Sequence, residues 1–192
     1  MFTLITKKTM KKLGSVSSIL ALTLGLANTA SATIVEFRIS YGDIQKNIQV
    51  NLYDQTTPKT VANFLSYVNS QHYDNSVIHR VSPGFVVQGG GFEFSGVLPL
   101  SPLTANAPVV NEAIYSNVKG TIAMAKQGGN INSATNQWFF NLTDSSENLD
   151  RQNGGFTVFG QVIGDGMSVI EEISQLNLCN SVALSGLPMV MD

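Results

Sequence analysis

The chain has 192 residues, a formal net charge of −2, 43% hydrophobic residues and 12% charged residues. That balance suits a globular domain with one good core and excludes a long disordered tract. The acidic sign argues against a nucleic-acid partner, because phosphate binding calls for a basic patch.

The first 32 residues read as a cleaved signal peptide. Lys7, Lys8, Lys11 and Lys12 form a basic start, Leu13 to Leu26 is apolar or small, and Ala30-Ser31-Ala32 is a small-residue cleavage site. The apolar run falls short of the roughly 20 residues a membrane span needs. The mature part, residues 33–192, is then a single domain without a membrane anchor. It holds every acid of the chain but not those four lysines. The destination is the periplasm, or the medium, of a bacterium. Cys179 is the only cysteine, so no intramolecular disulfide forms.

Thr33 to Ser40, TIVEFRIS, alternates as a strand, with Val35, Phe37 and Ile39 on one side and Glu36, Arg38 and Ser40 on the other. Tyr41-Gly42-Asp43 is a turn, and Asn47 to Tyr53 returns to make an antiparallel hairpin. A helix follows. Thr57 can cap it and Pro58 fits its first position. Val61, Phe64, Leu65 and Val68 form its apolar stripe, and it ends near Asn69-Ser70.

From Val77 the pattern is β again, with turns at Ser82-Pro83-Gly84 and Gly89-Gly90-Gly91. Phe94 to Val110 is loop-like. Gly120 to Ala125, Gln137 to Leu142 and Phe156 to Ile163 read as three strands. Asp165 caps a short helix from Gly166 to Ser174, and Pro188 to Met191 reads as a closing strand. Many strands and two helices argue for an antiparallel sheet or barrel rather than a doubly wound fold.

The residues exclude more chemistry than they supply. No HxxxH, CxxC or paired-acid cluster offers a metal site. No G-x-S-x-G marks a hydrolase, and Gly89-Gly90-Gly91 lacks the Lys-Ser/Thr of a phosphate loop. Asn141-Leu142-Thr143 matches a glycosylation sequon by coincidence. His79 and Arg80 are neighbours on a strand and point to opposite faces. What remains is Arg80, the rings of Phe85, Phe139 and Phe156, and the amides of Gln88 and Gln137. Such a set can bind a peptide and aim hydrogen bonds, but has no strong acid, base or nucleophile.

The chain resembles a cyclophilin-type peptidyl-prolyl cis-trans isomerase of the periplasmic bacterial branch. The resemblance rests on "IHRVSPGFVVQGGGF" (Ile78 to Phe92), "GTIAMA" (Gly120 to Ala125), "SATNQWFFNL" (Ser133 to Leu142), Leu149-Asp150 and "FTVFGQVIGDGMSVIEEIS" (Phe156 to Ser174). The early "TPKTVANFLSYV" fits too. It implies a mainly β fold, a closed eight-stranded antiparallel barrel capped by two α-helices, with a filled interior and the substrate groove outside. It implies rotation of X–Pro bonds in exported proteins without metal or cofactor, with proline-containing, unfolded polypeptides as partners; a monomer is the default expectation.

By matching position, Arg80, Gln88 and Phe85 are the catalytic residues. Val86, Phe139 and Leu149 line the proline pocket with Phe85. Ala125, Lys126 through its backbone, and Gln137 border the groove for the residues before proline. Phe156 stands where many members place a histidine. Asn148 stands where many carry a tryptophan that helps bind cyclosporin, which implies weak cyclosporin affinity here. Two readings compete: a proline-peptide-binding chaperone of the same fold with incidental catalysis, and a small-ligand barrel with a hollow interior.

Overall fold

The computed structural model describes residues 2–8, 32–176, 178–179 and 187–188. Eleven strands are β1 (Phe2–Lys8), β2 (Ile34–Tyr41), β3 (Ile44–Leu52), β4 (Ser76–Ser82), β5 (Val86–Glu93), β6 (Ser101–Pro102), β7 (Thr121–Met124), β8 (Trp138–Asn141), β9 (Val158–Ile163), β10 (Leu178–Cys179) and β11 (Leu187–Pro188). The helices are α1 (Pro58–Asn69), the single turn α2 (Ser146–Leu149) and α3 (Gly166–Ser174). The expectation of two helices therefore misses α2 and the 3₁₀ turn Gln152–Gly154 behind it.

Nine strands form one antiparallel sheet in the order β4-β1-β2-β3-β9-β7-β8-β5-β6, and β4 also pairs with β5. The molecule is mainly β, and the sheet curls. β1 lies within the segment read as a leader and runs antiparallel to β2. Of the expected closing strand, Pro188 belongs to β11, which pairs with β10; residues 189–191 lie outside the described residues.

The β2–β3 hairpin forms as its alternation requires: Val35, Phe37, Ile39, Ile48 and Val50 are fully buried, while Arg38 is exposed. Inside the curl, Phe37 meets Trp138 edge-on with ring centroids 5.0 Å apart and Phe140 at 5.3 Å. The α1 stripe adds Phe64, whose ring lies 5.0 Å from that of Phe159. Large buried rings fill this interior. That favours the packed reading over a hollow ligand barrel, since side chains pack at crystal-like density.

Three local expectations are corrected. Gly89-Gly90-Gly91 is not a turn but part of β5. The glycines are needed for room: a Cβ on Gly89 or Gly90 would stand 2.7 or 2.6 Å from the Trp138 ring, and one on Gly91 would stand 2.8 Å from Cδ of Gln137. Thr57 does not cap α1 with its side chain; its hydroxyl donates to the Tyr53 carbonyl. The cap comes from Glu112, whose carboxylate accepts from the Thr60 amide at 2.8 Å, the Thr60 hydroxyl at 2.7 Å and the Lys59 amide at 3.3 Å. At α3 the Asp165 side chain makes no cap bond; its carbonyl accepts from the amide and hydroxyl of Ser168. The sequon asparagine, Asn141, is fully buried and donates to Thr121 and Asn117, so no sugar can reach it in the fold.

Candidate active site

The site begins with one extra residue. β4 and β5 pair Ile78 with Gly89 but Arg80 with Gln88, so β4 carries His79 as an additional residue at a register shift. A bulge of this kind re-aims the side chains beside it. Here it sets Arg80 and Gln88 directly opposite each other. Arg80 Nη1 donates to Gln88 Oε1 at 3.2 Å, and Gln88 Nε2 donates to Gln137 Oε1 at 2.8 Å. The guanidinium is exposed, and its orientation is set by an amide that is itself held by a second amide. Gln137 can lie there because residue 91 is glycine.

Directly paired residues share a face of a sheet. Gln88 pairs with Phe139, Phe139 with Ala123, and Ala123 with Val158. The row from Arg80 to Val158 therefore lies on one face across five strands. Trp138 and Phe140 point the other way, into the main core.

Beside this row sits a separate apolar cluster. Val86, Ala123, Phe139, Leu149 and Val158 are buried in it, and Tyr53, Phe85, Ala125 and Phe156 pack half-buried against it. Phe156 meets Phe139 edge-on with centroids 5.8 Å apart. Phe85 reaches the cluster from the turn at Gly84, whose φ is 71°. It is fixed there by its amide on Ser82 O and its carbonyl on the Leu142 amide, both at 2.9 Å. On the far side of Gln88 lies a polar recess of about 140 Å³, lined by Gln88, Ala125, Lys126, Gln127, Thr135 and Gln137 among others.

The geometry thus gathers the residues singled out from the sequence. Val86, Phe85, Phe139, Leu149 and Phe156 meet in the apolar cluster, the candidate proline slot. Arg80, Gln88 and Gln137 form the polar edge. Ala125 and Lys126 stand between slot and recess. Sequence reasoning missed Tyr53, Ala123 and Val158 in the slot, and Gln127 and Thr135 in the recess. Ala123 lies two residues before Ala125 and Val158 two after Phe156, so strand alternation is the signal that finds them. Tyr53 has no such local signal.

His79, the extra residue, is half-buried beside the Arg80–Gln88–Gln137 chain and hydrogen-bonds the Gln137 side chain. Its ring stands edge-on to Phe92 at 5.0 Å, and burial pushes its pKa down to about 4. Among the described residues, no group of three or more His, Cys, Asp or Glu side chains is placed to hold a metal ion. The arrangement offers a fixed cation beside an apolar slot, with amides to hold a peptide backbone.

The sequence pattern of the family described as "Cyclophilin type peptidyl-prolyl cis-trans isomerase/CLD" matches residues 34–187. A peptidyl-prolyl cis-trans isomerase of Acinetobacter baylyi is 38% identical over 153 residues, covering 78% of this chain and 76% of that one. Peptidyl-prolyl cis-trans isomerase A of Dickeya dadantii is 43% identical over 138 residues, covering 70% and 69%. Peptidyl-prolyl cis-trans isomerase B of Escherichia coli is 38% identical over 148 residues, covering 73% and 83%. The fold is similar to the crystal structure of a Cryptosporidium parvum cyclophilin type peptidyl-prolyl cis-trans isomerase in the presence of the dipeptide Ala-Pro. The TM-score is 0.57 at 22% identity, over 80% of this chain and 90% of that one. A curled antiparallel sheet, an apolar slot beside Arg80 and relatives bearing one activity agree: this chain belongs to the cyclophilin-type peptidyl-prolyl cis-trans isomerases.

Proposed function

We propose that the chain isomerises X–Pro bonds of exported polypeptides, with Arg80 donating to the proline nitrogen as the amide twists. The observation that carries this is the Arg80–Gln88–Gln137 chain, set on the same sheet face as the slot of Phe85, Val86, Phe139 and Leu149. An X–Pro amide is planar through resonance, and rotation costs about 18–20 kcal/mol. When it twists, conjugation is lost and the nitrogen gains a lone pair. A donor aimed at that lone pair binds the twisted state better than either planar state. Arginine is permanently protonated and forked, so it can donate to the nitrogen while Gln88 holds it.

Millisecond turnover requires lowering the barrier by about 6–7 kcal/mol. One charge-assisted bond contributes about 2–4 kcal/mol. The rest comes from orientation. The apolar slot grips the proline ring with Phe85, Val86, Phe139, Leu149 and Phe156. Gln88, Gln137 and the backbone at Ala125 and Lys126 hold the residues before it, so the two sides of the bond turn against each other. No metal, cofactor or tuned base enters any step.

NMR exchange spectroscopy on a single Ala–Pro peptide tests the proposal. The wild-type protein should exchange the isomers in milliseconds. Arg80→Ala should lose on the order of 10²–10³-fold in kcat/KM. Wild-type turnover in that variant would sink the mechanism. Adding cyclosporin to the same assay should inhibit only weakly, because Asn148 sits exposed on α2 where an indole would offer apolar area.

The setting we propose is the bacterial periplasm or medium, reached by removal of residues 1–32, with a monomeric product. Among the described residues no helix is long and apolar enough to cross a membrane. The finer fold is a closed eight-stranded barrel. In the full chain, the β4–β5 pairing and the place of β1 between β2 and β4 support closure. β11, which includes Pro188 of the expected closing segment, lies beside β4.

A further inference from the structure

Lys126 borders the groove, yet its charged end is bonded to a neighbouring loop. Its Nζ donates to the carbonyls of Asn153 at 2.8 Å and Gly155 at 2.6 Å. The same ammonium stands 5.1 Å from the centroid of the Phe156 ring. The loop it reaches is an unusual one. Asn153, Gly154 and Gly155 are all in the left-handed region, with φ of 51°, 73° and 76°. Three such residues in a row leave the intervening carbonyls without a regular ladder, and a non-glycine residue there is strained.

The loop is held from outside itself. Asn111 Nδ2 donates to the carbonyls of Gly154 at 2.8 Å and Gly155 at 3.0 Å. The Asn153 side chain donates to the Gln127 carbonyl at 2.9 Å. Lys126 supplies the only two contacts among these that carry a full charge, and charge-assisted bonds are the stronger kind. The residue that follows the loop is Phe156, whose ring meets Phe139 in the wall of the slot.

We infer that Lys126 is a positioning residue for the proline slot: its ammonium ties the 153–155 loop to the end of β7 and so fixes the Phe156 ring against Phe139. This rests on the functional reading above, and adds a side-chain role to a residue otherwise read as acting through its backbone. Arg80 donates to Gln88, and Gln88 donates to Gln137, through side chains that make no part of this loop. Loss of the ammonium therefore loosens the grip on proline without disarming the donor.

The test is exchange NMR on the Ala–Pro peptide at several concentrations, which separates KM from kcat. Lys126→Met keeps the stem and removes the charge. It should raise KM about tenfold while kcat stays within about twofold. Lys126→Arg, which can still donate to both carbonyls, should recover most of the affinity. Wild-type KM in Lys126→Met, or equal impairment in both variants, overturns the inference. If Lys126→Met does not fold, the side-chain ¹⁵N signal of Lys126 in the wild-type protein decides. It should be protected from exchange and shift on peptide addition, and an unprotected or unshifted ammonium overturns the inference. A wild-type protein without isomerase turnover would sink the functional reading itself, a different outcome from active wild type with an unchanged KM in Lys126→Met.

Discussion

His79 and Arg80 are adjacent, yet the fold gives them opposite fates. Arg80 stays exposed to water. His79 is packed against Phe92, and burial lowers its pKa from 6.5 to about 4. The unfolded chain therefore binds a proton that the folded one refuses between about pH 6.5 and 4. Stability is full above that window, declines as pH falls through it, and stops declining below it. The loss amounts to at most about 3–4 kcal/mol, since each pKa unit corresponds to about 1.4 kcal/mol. Urea midpoints at pH 7.5 and 4.5 check this: the wild-type drop should exceed that of His79→Gln. An equal drop in both proteins would assign the acid sensitivity to other groups. The place of Arg80 beside Gln88 was legible in the sequence from the family pattern; the packing of His79 was not, because strand alternation breaks at the bulge. Lys126 shows where that legibility stops. Its position on the groove was readable, but the partners of its ammonium lie 27 and 29 residues away and follow no local rule.

At the scale of elements, α1 was readable from its stripe, and Phe64, Val61 and Val68 are buried as the 3.6-residue period demands. Its cap was not. A threonine before a proline is a sound local signal, but the hydroxyl of Thr57 serves the Tyr53 carbonyl instead. The first-turn amides are served by Glu112, 52 residues beyond Thr60. A carboxylate at that end also meets the positive pole of the helix. Glu112→Ala should lower stability by about 1–2 kcal/mol, read as a reduced urea midpoint with the slope unchanged. Glu112→Gln should cost less, because one oxygen can still accept. A midpoint unchanged in both variants would show that solvent replaces the cap. The glycine run in β5 carries a similar lesson. Three glycines read as a turn because turns favour them, but here they give clearance to the flat face of Trp138 and the amide of Gln137. The packing of a distant strand, β8, decided their use.

For the whole molecule, the two faces of one sheet do different work. One face buries Phe37, Phe64, Trp138, Phe140 and Phe159 in the main core; the other gathers Phe139 with Val86, Ala123, Leu149 and Val158 into the slot. The run Trp138-Phe139-Phe140 serves both faces because successive side chains alternate. The proposed leader adds a test at this scale. Expression in a bacterium followed by intact-mass measurement of the exported protein should give a chain beginning at Thr33, and a product retaining residues 1–32 would overturn the proposal. Removal would also take β1 from beside β2. The sequence by itself determined where β2, β3, β4, β7, β8 and β9 lie, which two stretches form the longer helices, and that arginine, rings and amides were the available chemistry, because burial alternation and helical stripes are written within a few residues. Only the tertiary structure decided that His79 is the extra residue turning Arg80 toward Gln88, that Glu112 caps a remote helix, and that Lys126 grips a left-handed loop. Each depends on strand register or on contacts between segments far apart in the chain, and neither leaves a periodic mark in the sequence.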